Sequence, residues 1–242
     1  PTKKQNRIRT FLLPLNSYRI LSAKRMQRYK DAANGDTRNT MALYRYNLRL
    51  SQEMFTIVSC FEVALRNAID SLLVPTLGEN WLKDSIQDNG IFSNGRMNDT
   101  RKIIEKAYNR LNRQGIYSHS KLIAEMEFGV WKYMYSSLQY RATGQCLLRA
   151  FPNKPRSSAA IQYNNTYIFN ELDKVNSLRN RIAHHEPICF RLHTSEIDTS
   201  YIINEYQKIQ TLFSWMGLDS HSMLYGLDHV QSVCAKINSL KG

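Results

Sequence analysis

The chain has 242 residues and a mass of 28.2 kDa, and its 43% hydrophobic and 22% charged residues supply enough apolar material for a packed core and exclude a disordered tail. Its 10 Gly and 6 Pro are too few for the many tight turns of a sandwich or barrel, so the composition favours long helices. Lys and Arg outnumber Asp and Glu by 33 to 20, a net charge of +13, which favours a polyanionic partner, nucleic acid ahead of a membrane surface.

Residues 1–30 hold nine Lys or Arg and no acid. Residues 1–15 read as a basic N-terminal arm in which Lys3, Lys4, Arg7 and Arg9 contact phosphates or simply solubilise the chain, and 16–242 as one all-helical domain. The apolar part of the arm, Phe11 to Leu15 with Pro14 inside it, is shorter than the ~7 residues of a signal-peptide core. No run approaches the ~18 apolar residues of a membrane span. A cytoplasmic protein without membrane contacts is expected.

A first helix is predicted at about 22–33. The longest follows the capping signal Gly35, Asp36, Thr37 and runs to about Val74, where Pro75 and Gly78 stop it. Its apolar stripe reads Met41, Tyr44, Leu48, Phe55, Val58, Leu65, Ile69 and Leu72. Glu62 stands in that stripe where a Leu is expected, so the carboxylate is either at the edge of the stripe or buried against a cation. Further helices are predicted at about 98–113, 119–150 with a break at Gly129 or Thr143, 166–185, 195–216 and 220–238. Loops rich in Asn, Ser, Gly and Pro fall at 84–97 and 152–158.

From Trp131 to Tyr167, Lys132, Arg141, Arg149, Lys154 and Arg156 alternate with Tyr133, Tyr135, Tyr140, Tyr163 and Tyr167. Cations mixed with flat rings suit single-stranded or looped RNA, the first neutralising phosphates and the second stacking bases. Residues 194–235 instead carry five acids against one base, Lys208, so the molecule is expected to have a basic side and a weakly acidic one.

Cys60, Cys146, Cys189 and Cys234 form no CxxC pair and read as reduced thiols. His221 and His229 lack a further ligand at metal spacing. Walker, GxGxxG, GxSxG and HExxH motifs are all missing from the sequence. No metal and no cofactor is expected.

The segment that stands out is Leu178 to Pro187, in which Arg179, Asn180, Arg181, His184 and His185 crowd a helix end before Pro187. Asn180 and His184 are at i and i+4 and share a face. Arg179 and His184 are about 140° apart round an ideal helix, so they converge on one phosphate only if the last turn distorts or a second copy contributes. Imidazole with guanidinium suits metal-free RNA cleavage: a histidine exchanges protons with the 2′-hydroxyl or the leaving 5′-oxygen while an arginine holds the phosphoryl oxygens. The same cations also complement the dipole of an ordinary helix end.

The run RNRIAHHE (Arg179 to Glu186) resembles the RN-to-H signature of HEPN ribonucleases, and FEVALRNAI (Phe61 to Ile69) and EMEFGVW (Glu125 to Trp131) resemble segments of their Abi-like branch, known from abortive infection. The likeness covers about residues 15–215. It implies an all-α HEPN-like bundle with additional helices, a homodimer that joins two RN-to-H motifs, and RNA cleavage leaving a 2′,3′-cyclic phosphate and a 5′-hydroxyl. Arg179, Asn180 and His184 are then the signature residues, with His185 a substitute imidazole; Glu127 departs from the branch, where a small Ser is commoner. Some relatives are held quiet by a structured small RNA or an antitoxin protein, and they act in anti-phage defence.

Leu65, Arg66, Asn67 repeats the tripeptide Leu178, Arg179, Asn180. Glu62, Arg66 and Asn67 are therefore expected as a polar shell beside the signature residues, with Glu62 paired to Arg66 or Arg179. Two rivals to the nuclease stand: an inactive RNA-binding HEPN protein that only grips a structured RNA, and a protein-interaction module, against which the +13 charge counts.

Overall fold

Eleven α-helices and two 3-10 turns form the regular structure of residues 21–241, the part of the chain described by the computed structural model. Lys3, Lys4, Arg7, Arg9 and the rest of the arm at 1–15 lie outside the described residues. The helices are α1 (Ala23–Ala32), α2 (Thr37–Leu77), α3 (Trp81–Asp84), α4 (Asn98–Arg113), α5 (His119–Glu125), α6 (Phe128–Tyr133), α7 (Ser137–Ala142), α8 (Asn165–Ala183), α9 (Ser200–Trp215), α10 (Ser220–Met223) and α11 (Val230–Asn238). Described residues form no strand; Phe190 and Ile197 make an isolated antiparallel bridge.

α2 is the axis of the molecule. Its 41 residues span about 60 Å at the α-helical rise, and α1, α6, α8, α9 and α11 all pack against it. Asp36 caps its start by accepting the Asn39 N–H (2.6 Å), and Gly78, at φ 92°, ends it with its N–H on the Val74 carbonyl. Pro75 sits inside the last turn, where a lost N–H bond is tolerable because the helix is already ending. Buried on α2 are Leu43, Leu50, Met54, Ile57, Val58, Phe61, Leu65, Ile69 and Leu73. The predicted stripe therefore holds at Met41, Val58, Leu65 and Ile69 and fails at Leu48 and Phe55, which are 45% and 46% exposed. The stripe rotates to bring Leu43, Asn47 and Leu50 inward instead.

The predicted helix over 119–150 is three short helices and a 3-10 turn. The chain is extended at Met126 and Glu127 (ψ 130° and 160°) and again at Ser136 (ψ 156°). Gly129 stays inside α6, whereas Thr143 does end α7. The corners let the aromatic and apolar groups of this stretch, Phe128, Trp131, Met134, Tyr135 and Phe151, all reach the core, which one straight rod could not do. Likewise α9 begins at Ser200, after the bridge at 190 and 197, and the predicted 220–238 helix is interrupted around Gly226 (φ 73°). No described helix is long and apolar enough to cross a membrane.

Candidate functional site

α8 starts at Asn164, whose side chain accepts the Tyr167 N–H, and buries Ile168, Leu172, Val175, Leu178 and Ile182 along one face. Burial of Leu178 and Ile182 fixes the rotation of its last turns, so Arg179 is half-buried and Asn180 exposed. Arg179 Nη1 lies 3.5 Å from Asn180 Oδ1.

The helix ends in a six-residue wrap. The His184 N–H bonds the Asn180 carbonyl, the His185 N–H the Ile182 carbonyl and the Glu186 N–H the Arg181 carbonyl, each at 2.9 Å. This is a Schellman end, whose left-handed position is usually Gly. Here it is His185, at φ 55°, a conformation that costs an L-residue about 1–2 kcal/mol and persists only when neighbours enforce it.

Those neighbours are identifiable. Asn47, buried in α2, accepts the Ile188 N–H (2.9 Å) and the Cys189 N–H (3.2 Å). Arg181 donates to the Pro187 carbonyl (3.1 Å), approaches Glu186 (3.4 Å) and lies over the Tyr201 ring (5.0 Å). Arg28 of α1 donates to the Thr194 carbonyl (Nε, 3.0 Å) and covers the Phe190 ring at 4.9 Å. The loop after α8 is thus tied to α1, α2 and α9.

A groove of about 280 Å³ opens at this end, with Lys24, Arg25 and Arg28 on one side and His184, His185 and Glu186 on the other. Lys24, Arg25 and both imidazoles are exposed, and neither Lys24 nor Arg25 has an ion-pair partner among the described residues. Phosphates entering the groove would meet the positive charge of Lys24, Arg25 and Arg28 beside two imidazoles.

Arg179 does not line that groove. It faces Glu62: burial pushes the half-buried Glu62 carboxyl above the usual carboxylate range, the Arg179 guanidinium and then that of Arg66 pull it back, and the nearby Glu127 carboxylate adds to the rise. Glu62 and Arg66 of α2, Glu127 before α6 and Arg179 of α8 therefore share one electrostatic neighbourhood. Glu62 makes no ion pair within 4.0 Å among the described residues, so the coupling acts across a gap. Arg66 Nε is buried with no hydrogen-bond partner, while Asn67 is exposed on the α2 surface.

The other sequence candidates separate. Lys132 is buried and bound to Asp173 (2.8 Å); its ammonium holds α6 to α8 and is withdrawn from the RNA-contacting set. Arg141 is exposed but donates to its own helix at the Ser137 carbonyl (3.0 Å). Arg149 and Arg156 are exposed and Lys154 is half-buried. Tyr135 and Tyr140 are core residues, Tyr163 and Tyr167 pack on Trp215 (5.6 and 6.1 Å), and Tyr133 is 47% exposed. All four cysteines are free, and burial pushes the Cys189 thiol up to about 12. Among the described residues no group of three His, Cys, Asp or Glu is placed to hold a metal ion. Lys24, Arg25, Arg28 and Asn47 are the residues that sequence reasoning missed; the signal for the first three was the acid-free run over 1–30.

A family model described as Abi-like protein matches residues 6–189, and the chain belongs to that family. Its membership associates the chain with abortive infection. Searches of curated proteins and of solved structures found no match.

Proposed function

We propose that the chain is a HEPN-type, metal-independent endoribonuclease of anti-phage abortive infection, acting in the cytoplasm as a homodimer and held in check by an RNA or protein antitoxin. The observation that carries this reading is the groove in which both imidazoles face Lys24, Arg25 and Arg28. His184 takes the proton of a ribose 2′-hydroxyl, or returns one to the leaving 5′-oxygen; the 2′-oxygen bonds to phosphorus as the bond from phosphorus to the 5′-oxygen breaks. The products are a 2′,3′-cyclic phosphate and a 5′-hydroxyl. Arg179 stabilises the charge that builds on the phosphoryl oxygens, Asn180 fixes the local hydrogen bonding, and His185 is the alternative imidazole.

Because Arg179 stands outside the groove of its own copy, the arginine is supplied across a two-fold interface. The uncovered Leu48, Phe55 and Val63 on α2 (45%, 46% and 42% exposed) support that interface, since Leu48, Phe55 and Glu62 recur every seven residues along one line of the helix.

The test is to incubate the purified protein with RNA in EDTA and map the ends. Cyclic-phosphate ends that disappear in His184→Ala, with RNA affinity retained, support the enzyme; 5′-phosphate ends that need magnesium overturn it. The separation of Arg179 from the imidazoles in one copy favours a second reading, an RNA-binding protein that grips without cutting. A wild-type dimer that binds RNA and never cuts it would select that reading.

A further inference from the structure

A second cavity, of about 440 Å³, lies between α4 and the corner of α5 and α6, within the size range of small-ligand sites. Its floor is apolar, with Ala107, Met126 and Val130 buried beneath it. Two cations border it without an ion-pair partner among the described residues, Lys106 and Arg113, whereas the third, Arg110, is paired with Glu125. Arg113 spends only its Nε–H, on the Asn109 carbonyl 3.2 Å away.

Tyr133 forms one wall with an exposed but fixed ring. Phe169 meets it edge-on at 5.8 Å, and the Lys132 ammonium stands 4.5 Å from its centroid. Along the same wall a Cβ built on Gly129 meets nothing within 4 Å, so a flat group can lie against bare backbone. Glu127 lines the cavity and also raises the Glu62 carboxyl, which places the cavity next to the Arg179 neighbourhood.

An immobile aromatic face, open backbone and two uncommitted cations match the two parts of a nucleotide, a flat base and a phosphate. We propose that this cavity holds one unpaired nucleotide of the bound RNA, with its base on Tyr133 and its phosphate on Lys106 and Arg113. The proposal rests on the RNA reading above and deepens it by naming a second contact for the same RNA.

Full-length His184→Ala protein, which leaves RNA intact, is titrated against a short labelled single-stranded RNA. Tyr133→Ala is expected to weaken binding about ten-fold. Gly129→Leu is expected to do at least as much while folding normally, because its side chain enters open space. Wild-type affinity in both variants overturns the proposal. So does a cavity that binds uridine monophosphate while RNA affinity is untouched by either variant. A protein that never cuts RNA but loses affinity in both variants sinks the nuclease and leaves this site standing; one that cuts but binds equally well in all forms sinks this site alone.

Discussion

The tripeptide Leu, Arg, Asn occurs twice, at 65–67 in α2 and at 178–180 in α8, and both copies fold alike: the Leu is fully buried, the Arg half-buried and the Asn exposed. Their surroundings part immediately afterwards. α2 continues to Asp70, whose Oδ1 accepts the Trp81 indole N–H (2.7 Å) and meets His119 Nε2 (2.8 Å), so that copy is followed by a strut holding α3 and α5. α8 stops three residues later and turns out through His184 and His185 into the basic groove. The same three residues therefore serve a scaffold where the helix goes on and, in the proposed function, a reactive edge where it ends.

The sharpest way to break this comparison is to remove the imidazole. His184→Ala is expected to lower RNA cleavage by about 10²–10⁴-fold, the usual contribution of one general acid or base, with RNA affinity unchanged in a filter-binding assay. Next is the pair of arginines. Arg179→Ala is expected to cost about 10²–10³-fold in cleavage, as loss of one transition-state donor does, whereas Arg66→Ala should lower cleavage far less. Equal rate losses would mean that the two copies are functionally interchangeable.

The groove cations come third. Lys24→Ala with Arg25→Ala is expected to weaken RNA binding at low salt and to reduce the slope of log affinity against log salt by about 1–2, one contact at a time. An unchanged slope would mean that RNA does not cross α1.

The helical class, the capping of α2 and the span of α4 were legible because they are local: Asp36 bonds its own helix, and α4 follows a regular periodic pattern. The RN-to-H run was legible for the same reason, as a contiguous cluster. The corners at Met126 and Ser136 were not, since each residue there could continue a helix and only the need to bury Phe128, Trp131, Met134 and Tyr135 together in one core bends the chain. Lys132 misled because a cation alternating with tyrosines and other cations reads as surface, and its partner Asp173 lies 41 residues away. Asn47 was invisible as a site residue: its role depends on backbone N–H groups of Ile188 and Cys189 that only the folded chain brings to it.

A smaller effect concerns the turn itself. His185→Gly relieves the left-handed strain, worth about 1–2 kcal/mol, at the expense of about 0.5–1 kcal/mol of extra chain entropy. The variant is expected to be more stable by roughly 0.5–1 kcal/mol in urea unfolding. If cleavage is also kept, His184 is the working imidazole; if it falls as far as in His184→Ala, His185 shares the proton transfer.

The smallest effect tests the electrostatic neighbourhood. Burial lifts the Glu62 carboxyl above its ordinary 4.5, so the native state keeps a proton that the unfolded chain has already released. The contribution to stability is then full below about 4.5 and is lost as pH rises through the higher native value. Glu62→Gln cannot ionise, so its stability should fall less than that of wild type between pH 4.5 and 7, as read from urea midpoints. The two arginines hold the Glu62 pKa down, Arg179 more than Arg66. Removing Arg179 should therefore steepen the wild-type decline more than removing Arg66 does, and neither change should matter once Glu62 is Gln. Identical slopes in all four proteins would show that α2 and α8 do not share a field, and the repeated tripeptide would then be two unrelated surfaces of one bundle.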